Sequence, residues 1–182
     1  KKNLTILEFG VRQGISTKKF IKLCEANGGH LYSVDTDDCS TISNSSKWTF
    51  FKTRDDNFDF LEKKLPKKFD IIFLDSFHDA NHVKKIIYYY YEKLKKEGIF
   101  YIDDISWLPY LKNNYRDNFN CEINNQETFE KLLEITKVNH ENFDIYFSFV
   151  LSGAAKIIKK NDNEIIMSNK IISRKLSFKN II

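Results

Sequence analysis

The feature that most constrains this sequence is the regular alternation of short apolar runs and helical patterns over its first 105 residues. Runs rich in β-branched and aromatic residues predict five buried strands, at residues 4–9, 31–34, 48–51, 69–74 and 99–102. Helical patterns lie between them, at residues 16–26, 55–65 and 79–96. Alternation of this kind favours a parallel sheet with helices on both faces.

The rest of the chain predicts a different ending for the sheet. After a long Asn-rich connection, a helix is expected at about residues 126–139. Predicted strands at residues 143–151 and 155–160 are joined by three residues, so they form an antiparallel hairpin. All six glycines fall at predicted junctions, with Gly98 ending the helix over residues 79–96. The fold class is therefore α/β, a Rossmann-like, doubly wound, seven-stranded and mostly parallel sheet with an antiparallel terminal hairpin.

Domain organisation follows from the same pattern. We expect one domain over residues 1–160 and a basic extension over residues 161–182, which could be a strand, a helix or a linker. The chain begins Lys-Lys-Asn without Met, so an excised domain of a larger protein is an open interpretation.

Composition and charge exclude several classes of protein. The net charge is +4, but seven basic and only two acidic residues lie from Leu151 onward, so the body is nearly neutral and nucleic acid is an unlikely partner. Three cysteines without a close pair exclude a disulfide framework and favour a reducing, cytoplasmic location. The apolar runs are far shorter than the roughly 20 residues of a membrane span.

A glycine-containing turn joins the first strand to the first helix. Gly10 and Gly14 are four residues apart, and Glu8 precedes the first of them by two. Glycines let the backbone approach a ligand closely, and a helix N-terminus offers free N–H groups. The spacing is not the dinucleotide fingerprint, and it suits a ligand with an amino-acid head group and no pyrophosphate. The alternative is a turn that binds nothing.

An acidic residue directly follows the second predicted strand. Asp35 lies 21 residues beyond Gly14, close to the spacing at which a carboxylate holds the ribose of a nucleotide across the first two strands. Asp37 and Asp38 come next, and we interpret both as part of a solvated loop. The sequence thus predicts a ribose contact at Asp35.

Acidic residues also follow the fourth and fifth strands. Asp75 ends one, and Asp103 and Asp104 end the other, so adjacent parallel strands would deliver three carboxylates to one edge. Such a group favours Mg²⁺ or another divalent cation, which would lower the pKa of a substrate hydroxyl. His78 lies three residues past Asp75, near enough to act as general base. The alternative is that these acids only cap strands and helices.

A second histidine follows four residues after His78. His78 and His82 have the spacing of a zinc-binding pair on a helix, but no third ligand pattern accompanies them. We therefore do not predict a zinc site.

Five segments carry a resemblance to a known family. They are LEFGVRQGIS at residues 7–16, YSVD at 32–35, FDIIFLDSFH at 69–78, VKK at 83–85 and LKKEGIFYIDD at 94–104. In their order and spacing the chain resembles class I S-adenosylmethionine-dependent methyltransferases. Within that class it looks like the metal-dependent O-methyltransferases that include sugar methyltransferases of macrolide and cell-surface glycan pathways.

The resemblance implies a role for each candidate residue. The methionine part of S-adenosylmethionine would lie against Gly10, Gly14 and Ser16, with Glu8 and Arg12 in the same turn. Asp35 would hold the ribose, and Asp55 would lie near the adenine. The divalent metal would bind Asp75, Asp103 and Asp104, with Asp75 also bordering the donor, and His78 would be the catalytic base.

The acceptor is the part of the prediction that the resemblance supports least. The family often has an aromatic residue and an acid where this chain has Ala80 and Asn81, and helices usually precede its first strand. We expect a small-molecule acceptor, a sugar or another small polyol or phenol, and a homo-oligomer is possible. Two alternatives stay open: a nucleic-acid or protein methyltransferase, and a non-catalytic donor-binding domain of a larger protein.

Overall fold

The computed structural model describes residues 2–108 and 119–168, and the statements below concern those residues. The strands are β1 Thr5–Phe9, β2 His30–Asp35, β3 Trp48–Lys52, β4 Phe69–Leu74, β5 Leu94–Asp103, β6 Phe143–Ser148 and β7 Ala154–Lys159. The helices are α1 Ile15–Asn27, α2 Phe58–Lys64, α3 Ala80–Tyr91 and α4 Phe119–Asn139, with one turn of 3₁₀ helix at Ser40–Ile42.

The strands form one seven-stranded sheet in the order β3-β2-β1-β4-β5-β7-β6. The first five strands are parallel to their neighbours, whereas β7 pairs antiparallel with both β5 and β6. The predicted fold class, a Rossmann-like sheet with an antiparallel terminal hairpin, is confirmed. Because β1 lies between β2 and β4, the turn that follows it sits at the centre of the sheet's carboxyl edge.

Apolar side chains fill both faces of the sheet. On one face Ile6 packs with Ile21 and Cys24 of α1. On the other, Leu7 and Phe9 pack with a larger cluster that includes buried residues of α2, α3 and α4. The alternation of β1 side chains between the two clusters is the two-residue period of a strand buried on both faces.

The end of α3 differs from the prediction. The sequence predicts a helix over residues 79–96 closed by Gly98, but α3 ends at Tyr91 and β5 already begins at Leu94, so Gly98 lies inside a strand. Leu94 is fully buried and pairs with Phe69, and the register then shifts before Ile71. Pairing with β4 therefore overrides the helical preference of this segment, and the register of the pairing shifts between Phe69 and Ile71.

Two other boundaries differ as well. Helix α4 begins at Phe119, seven residues before the predicted start, because tertiary contacts such as the Asn125 side-chain N–H to the carbonyl of Ser106 (2.9 Å) hold an Asn-rich segment that propensity does not favour. In the hairpin, β6 ends at Ser148 instead of residue 151, so the connection to β7 has five residues.

The extension after β7 has no regular secondary structure as far as it is described. Residues 161–168 form neither helix nor strand, and the part over 169–182 lies outside the described residues. Asn139 of α4 bonds both the N–H (2.8 Å) and the carbonyl (2.9 Å) of Ile166. The hydroxyl of Tyr88 bonds the carbonyl of Ile166 (3.0 Å) and the N–H of Ser168 (2.9 Å). Side chains of α3 and α4 thus hold this segment along its backbone.

None of the described helices has the length and the apolar character needed to cross a membrane.

Candidate functional site

A cavity of 440 Å³ opens at the carboxyl edge of the parallel strands. Its walls are residues 10–12, 34–37, 53–55 and 75–78, which follow or end β1, β2, β3 and β4. Ligands bind at this edge in open α/β sheets. The cavity thus brings together the glycine turn, Asp35, Asp55 and the Asp75–His78 segment, which are far apart in the sequence.

The glycine turn packs directly against the end of β4. Gly10 has a φ of +89°, and a Cβ on it would lie 1.8 Å from the carbonyl oxygen of Asp75. Gly14 has a φ of +73°, and a Cβ there would lie 2.5 Å from the Ile42 side chain. Both the conformation and the space therefore require glycine. Gly10 borders the cavity, whereas Gly14 lies behind it at the start of α1.

Glu8 lies beneath the turn and is fully buried. Its carboxylate accepts hydrogen bonds from the hydroxyls of Ser16 (2.7 Å), Thr17 (2.8 Å) and Ser33 (2.7 Å). Burial raises the pKa of Glu8 above its ordinary value, and the three hydroxyl donors oppose that rise. Glu8 and Ser16 thus bind each other and are not among the cavity walls, so in this arrangement they connect β1, α1 and β2 under the turn.

Asp35 organises the turn from the end of β2. Its Oδ2 accepts the backbone N–H groups of Val11 (2.7 Å) and Arg12 (3.0 Å), and its Oδ1 accepts that of Asp37 (2.9 Å). Desolvation raises the pKa of Asp35, but these backbone donors outweigh it, and the net pKa lies below the ordinary value. The carboxylate is therefore ionised on the cavity wall, where Oδ1 retains capacity to accept from a ligand hydroxyl.

Three carboxylates end or follow β4 and β5, and Asp75 is the one of them that lines the cavity. Burial raises the pKa of Asp75 to about 7, and the charges of Asp103, Asp104 and Glu8 add to the rise. Burial and the charge of Asp104 also raise the pKa of Asp103. The carboxylates at the ends of β4 and β5 are thus close enough to contribute to the raised pKa values of Asp75 and Asp103, although burial is the larger cause for both.

A histidine completes this group. His78 Nε2 lies 3.3 Å from Oδ2 of Asp104 and 3.6 Å from Oδ1 of Asp75. Ligand atoms of these three residues all lie within 4.8 Å of one another. Asp104 adopts a φ of +57°, a conformation that is costly for a residue with a side chain. Asp103 lies outside this trio, and its Oδ1 accepts a hydrogen bond from the Ser152 hydroxyl at 3.3 Å.

The residues present fit a divalent cation. Carboxylate oxygens and an imidazole nitrogen are ligands that Mg²⁺, Mn²⁺ and the later divalent metals accept. Burial is the main cause of the raised pKa of Asp75, and the charges of Asp103, Asp104 and Glu8, which add to it, are negative charge that a cation would neutralise. Within residues 2–108 and 119–168, Asp75, His78 and Asp104 are the only such group of three, and His82 does not belong to it.

A buried pair beside the cavity was not predicted. His82 Nε2 lies 3.0 Å from each carboxylate oxygen of Asp55, and the Ser76 hydroxyl donates to Oδ2 of Asp55 at 2.5 Å. His82, Ile86 and Tyr90 are spaced by four residues on the buried face of α3. That periodicity could have placed His82 in the interior, but no local signal connects it with Asp55, 27 residues earlier.

Comparison with known proteins identifies the family of the chain. A family model described as a methyltransferase domain matches residues 7–105. A sequence search of curated proteins finds no match.

Solved structures share the fold. The chain is similar to the SAH-bound methyltransferase PaMTH1 of Podospora anserina, with a TM-score of 0.68, 16% identity and coverage of 86% of this chain and 72% of that one. It is similar to the O-methyltransferase of Bacillus cereus in complex with SAH, with a TM-score of 0.60, 17% identity and coverage of 86% and 74%.

A third structure, MycE of the mycinamycin biosynthetic pathway in complex with Mg, SAH and mycinamycin VI, gives a TM-score of 0.62 at 18% identity. The alignment covers 89% of this chain but 46% of that one, so this chain spans about half the length of MycE. At such identities these likenesses establish the fold alone.

Proposed function

Because the chain belongs to the methyltransferase domain family, we propose that it is a class I enzyme that transfers the methyl group of S-adenosylmethionine to a hydroxyl oxygen of a small-molecule acceptor with the help of a divalent metal. The observation that carries the proposal is the continuity of the cavity. One wall bears the glycine turn and Asp35, and another bears Asp75 and His78. A methyl donor and a hydroxyl-activating group would therefore meet in one space.

The donor would lie across the strand ends. Its methionine part would face the turn at Gly10, its ribose hydroxyls would donate to Asp35, and its base would lie by Asp55. Glu8 and Ser16 would act one layer below, by holding the turn and the first helix in place. Most of the catalytic contribution would come from in-line alignment of the acceptor oxygen, the methyl carbon and the sulfur.

The chemical step is a single displacement. The acceptor oxygen forms a bond to the methyl carbon, the carbon–sulfur bond breaks, and its electron pair neutralises the sulfonium. The hydroxyl proton passes to Nε2 of His78, which lines the cavity. Oδ1 of Asp75 and Oδ2 of Asp104 lie 3.6 and 3.3 Å from this nitrogen, so the proposed proton acceptor is adjacent to the carboxylates that would hold the ion.

The divalent ion would be held by Asp75 and Asp104, with Asp103 beside them. When bound, it would lower the pKa of the acceptor hydroxyl and fix its position.

For the acceptor we propose a sugar or another small polyol or phenol. MycE, which shares the fold, belongs to the mycinamycin biosynthetic pathway and was solved with mycinamycin VI. Phe77, 63% exposed on the cavity wall, offers an apolar surface beside the polar cluster. A ring that carries hydroxyls on one side and carbon on the other suits this mixture.

The test combines donor binding with methyl transfer. Calorimetry with S-adenosylhomocysteine should detect binding with and without EDTA. Labelled S-adenosylmethionine should then transfer its methyl group to members of a panel of sugars, polyols and phenols, in a reaction that EDTA stops. The variant Asp38→Asn, which removes an exposed acid outside the cavity, is the matched control. Label that enters only nucleic acid or protein, or donor binding without transfer to any acceptor, would contradict the proposal.

A further inference from the structure

We propose that His82 is a positioning residue for the donor site, one that fixes the Asp55 carboxylate so that it recognises the 6-amino group of the donor's adenine. The inference rests on the proposed function, since it takes the cavity to bind S-adenosylmethionine. It assigns a task to a histidine that neither the metal group nor the methyl-transfer step uses.

His82 is held in one orientation. Its side chain is 8% exposed, and its Nε2 lies at 3.0 Å from both Oδ1 and Oδ2 of Asp55. Because an ionised carboxylate can only accept hydrogen bonds, Nε2 must carry a proton. The backbone N–H of His82 donates to Oδ1 of Asp79 at 2.9 Å, which fixes the first turn of α3 that carries the ring.

Asp55 is held by three residues, one that follows β4 and two in α3. The Ser76 hydroxyl, just after β4, donates to Oδ2 at 2.5 Å, and His82 reaches both oxygens from α3. The Tyr90 hydroxyl, on the same face of α3 and eight residues after His82, donates to the backbone carbonyl of Asp55 at 3.1 Å. A carboxylate has about four acceptor positions, so these donors leave capacity for one from the cavity, which Asp55 borders.

A carboxylate held in this way favours a nucleobase that donates a hydrogen bond to it. A fixed, acceptor-only carboxylate favours the exocyclic N–H of adenine and opposes the carbonyl oxygen that hypoxanthine carries at the same position. Without His82, Ser76 alone would hold the carboxylate, and Asp55 could rotate to accommodate either base. The expected loss is therefore in discrimination between bases more than in overall affinity.

A purely structural role for the pair predicts something different. Deleting one partner of a buried ion pair lowers stability in either case. Only a positioning role changes the ratio of affinities for two ligands that differ at one atom, because a general loss of stability affects both ligands equally.

The experiment measures dissociation constants of the whole chain for S-adenosylhomocysteine and S-inosylhomocysteine by calorimetry. The unmodified protein should prefer the adenine compound by about 10- to 100-fold, the value of a hydrogen bond to a charged group. His82→Ala should reduce the preference to within about threefold, and His82→Gln, whose amide can still donate to Asp55, should retain most of it. His30→Gln, at a half-buried histidine that bonds Thr49 and does not line the cavity, should change nothing.

The outcomes separate the two proposals. If the unmodified protein binds neither compound, the proposed function fails. If it discriminates and His82→Ala still does, the role of His82 is wrong while the donor site stands. Should His82→Ala not fold, nitrogen NMR of the unmodified protein decides: we expect a protonated Nε2 whose resonance shifts more with the adenine compound than with the hypoxanthine one. An unprotonated Nε2, or equal shifts, would overturn the inference.

Discussion

Replacing Asp75 by Asn should stabilise the metal-free protein while removing its proposed metal-dependent activity. In the absence of a cation the Asp75 carboxylate is partly buried beside Asp103 and Asp104, and its pKa is raised from 3.8 to about 7. A neutral amide of the same shape relieves both desolvation and repulsion. The carboxylate of Asp75 thus lowers the stability of the metal-free protein, as expected where like charges lie together at a ligand site.

The magnitude depends on pH. Below pH 3.8 Asp75 is protonated in the folded and the unfolded chain, so the two variants should be equally stable. As pH rises towards 7, the unfolded chain releases the proton and the folded one retains it, so the original protein loses stability. The full shift would amount to ~4 kcal/mol. Since 36% of the side chain is exposed, solvent screening reduces this, and we expect a gain of ~1–2 kcal/mol for Asp75→Asn at pH 8.

The assay is urea denaturation in EDTA at several pH values between 4 and 8. The difference between the variants should grow with pH and level off above about pH 7. Asp38→Asn is the control, because the Ser40 side chain lowers the pKa of that exposed acid, and it should show no such gain. Added Mg²⁺ should stabilise the original protein and not Asp75→Asn. A difference that stays constant with pH would refute the electrostatic reasoning.

Three other substitutions test separate parts of the site. Asp35→Ala should weaken S-adenosylhomocysteine binding by ~1–3 kcal/mol by removing an acceptor from ribose and turn alike, and unchanged affinity in calorimetry would exclude the ribose contact. Gly10→Ala should lower the free energy of unfolding by ~2–4 kcal/mol, because its Cβ would collide with the Asp75 carbonyl. A denaturation midpoint equal to that of the unmodified protein would contradict the contact. His78→Ala should lower kcat by ~10²–10⁴-fold with little change in donor KM. An unchanged kcat in steady-state kinetics would show that His78 is not the general base.

Much of the fold was predictable because its signals are local. The β1, β2, β3 and β4 strands were predicted to within a residue or two of their observed ends. The junction of α3 and β5 was not, because Leu94 becomes a strand residue through pairing with Phe69, which lies 25 residues away. The early start of helix α4 likewise depends on tertiary contacts, such as the bond from the Asn125 side chain to the carbonyl of Ser106.

The site shows the same division. Parallel topology alone brings Asp35, Asp55 and Asp75 to one cavity, as strand-end residues should be. Their roles towards a donor and a metal remain predictions. Side-chain partnerships could not be foreseen: the hydroxyls around Glu8 and the bond between His82 and Asp55 depend on exact packing distances that spacing does not encode.

The contact between Gly10 and the Asp75 carbonyl has a thermodynamic consequence. The N–H of Asp75 also donates to the carbonyl of Phe9 at 2.8 Å, so the last residues of β1 and β4 are tied together with no space for independent movement. The proposed donor and the proposed cation would each bind next to this contact between β1 and β4. If binding of one changed the affinity for the other, reciprocity would require the two effects to be equal in size.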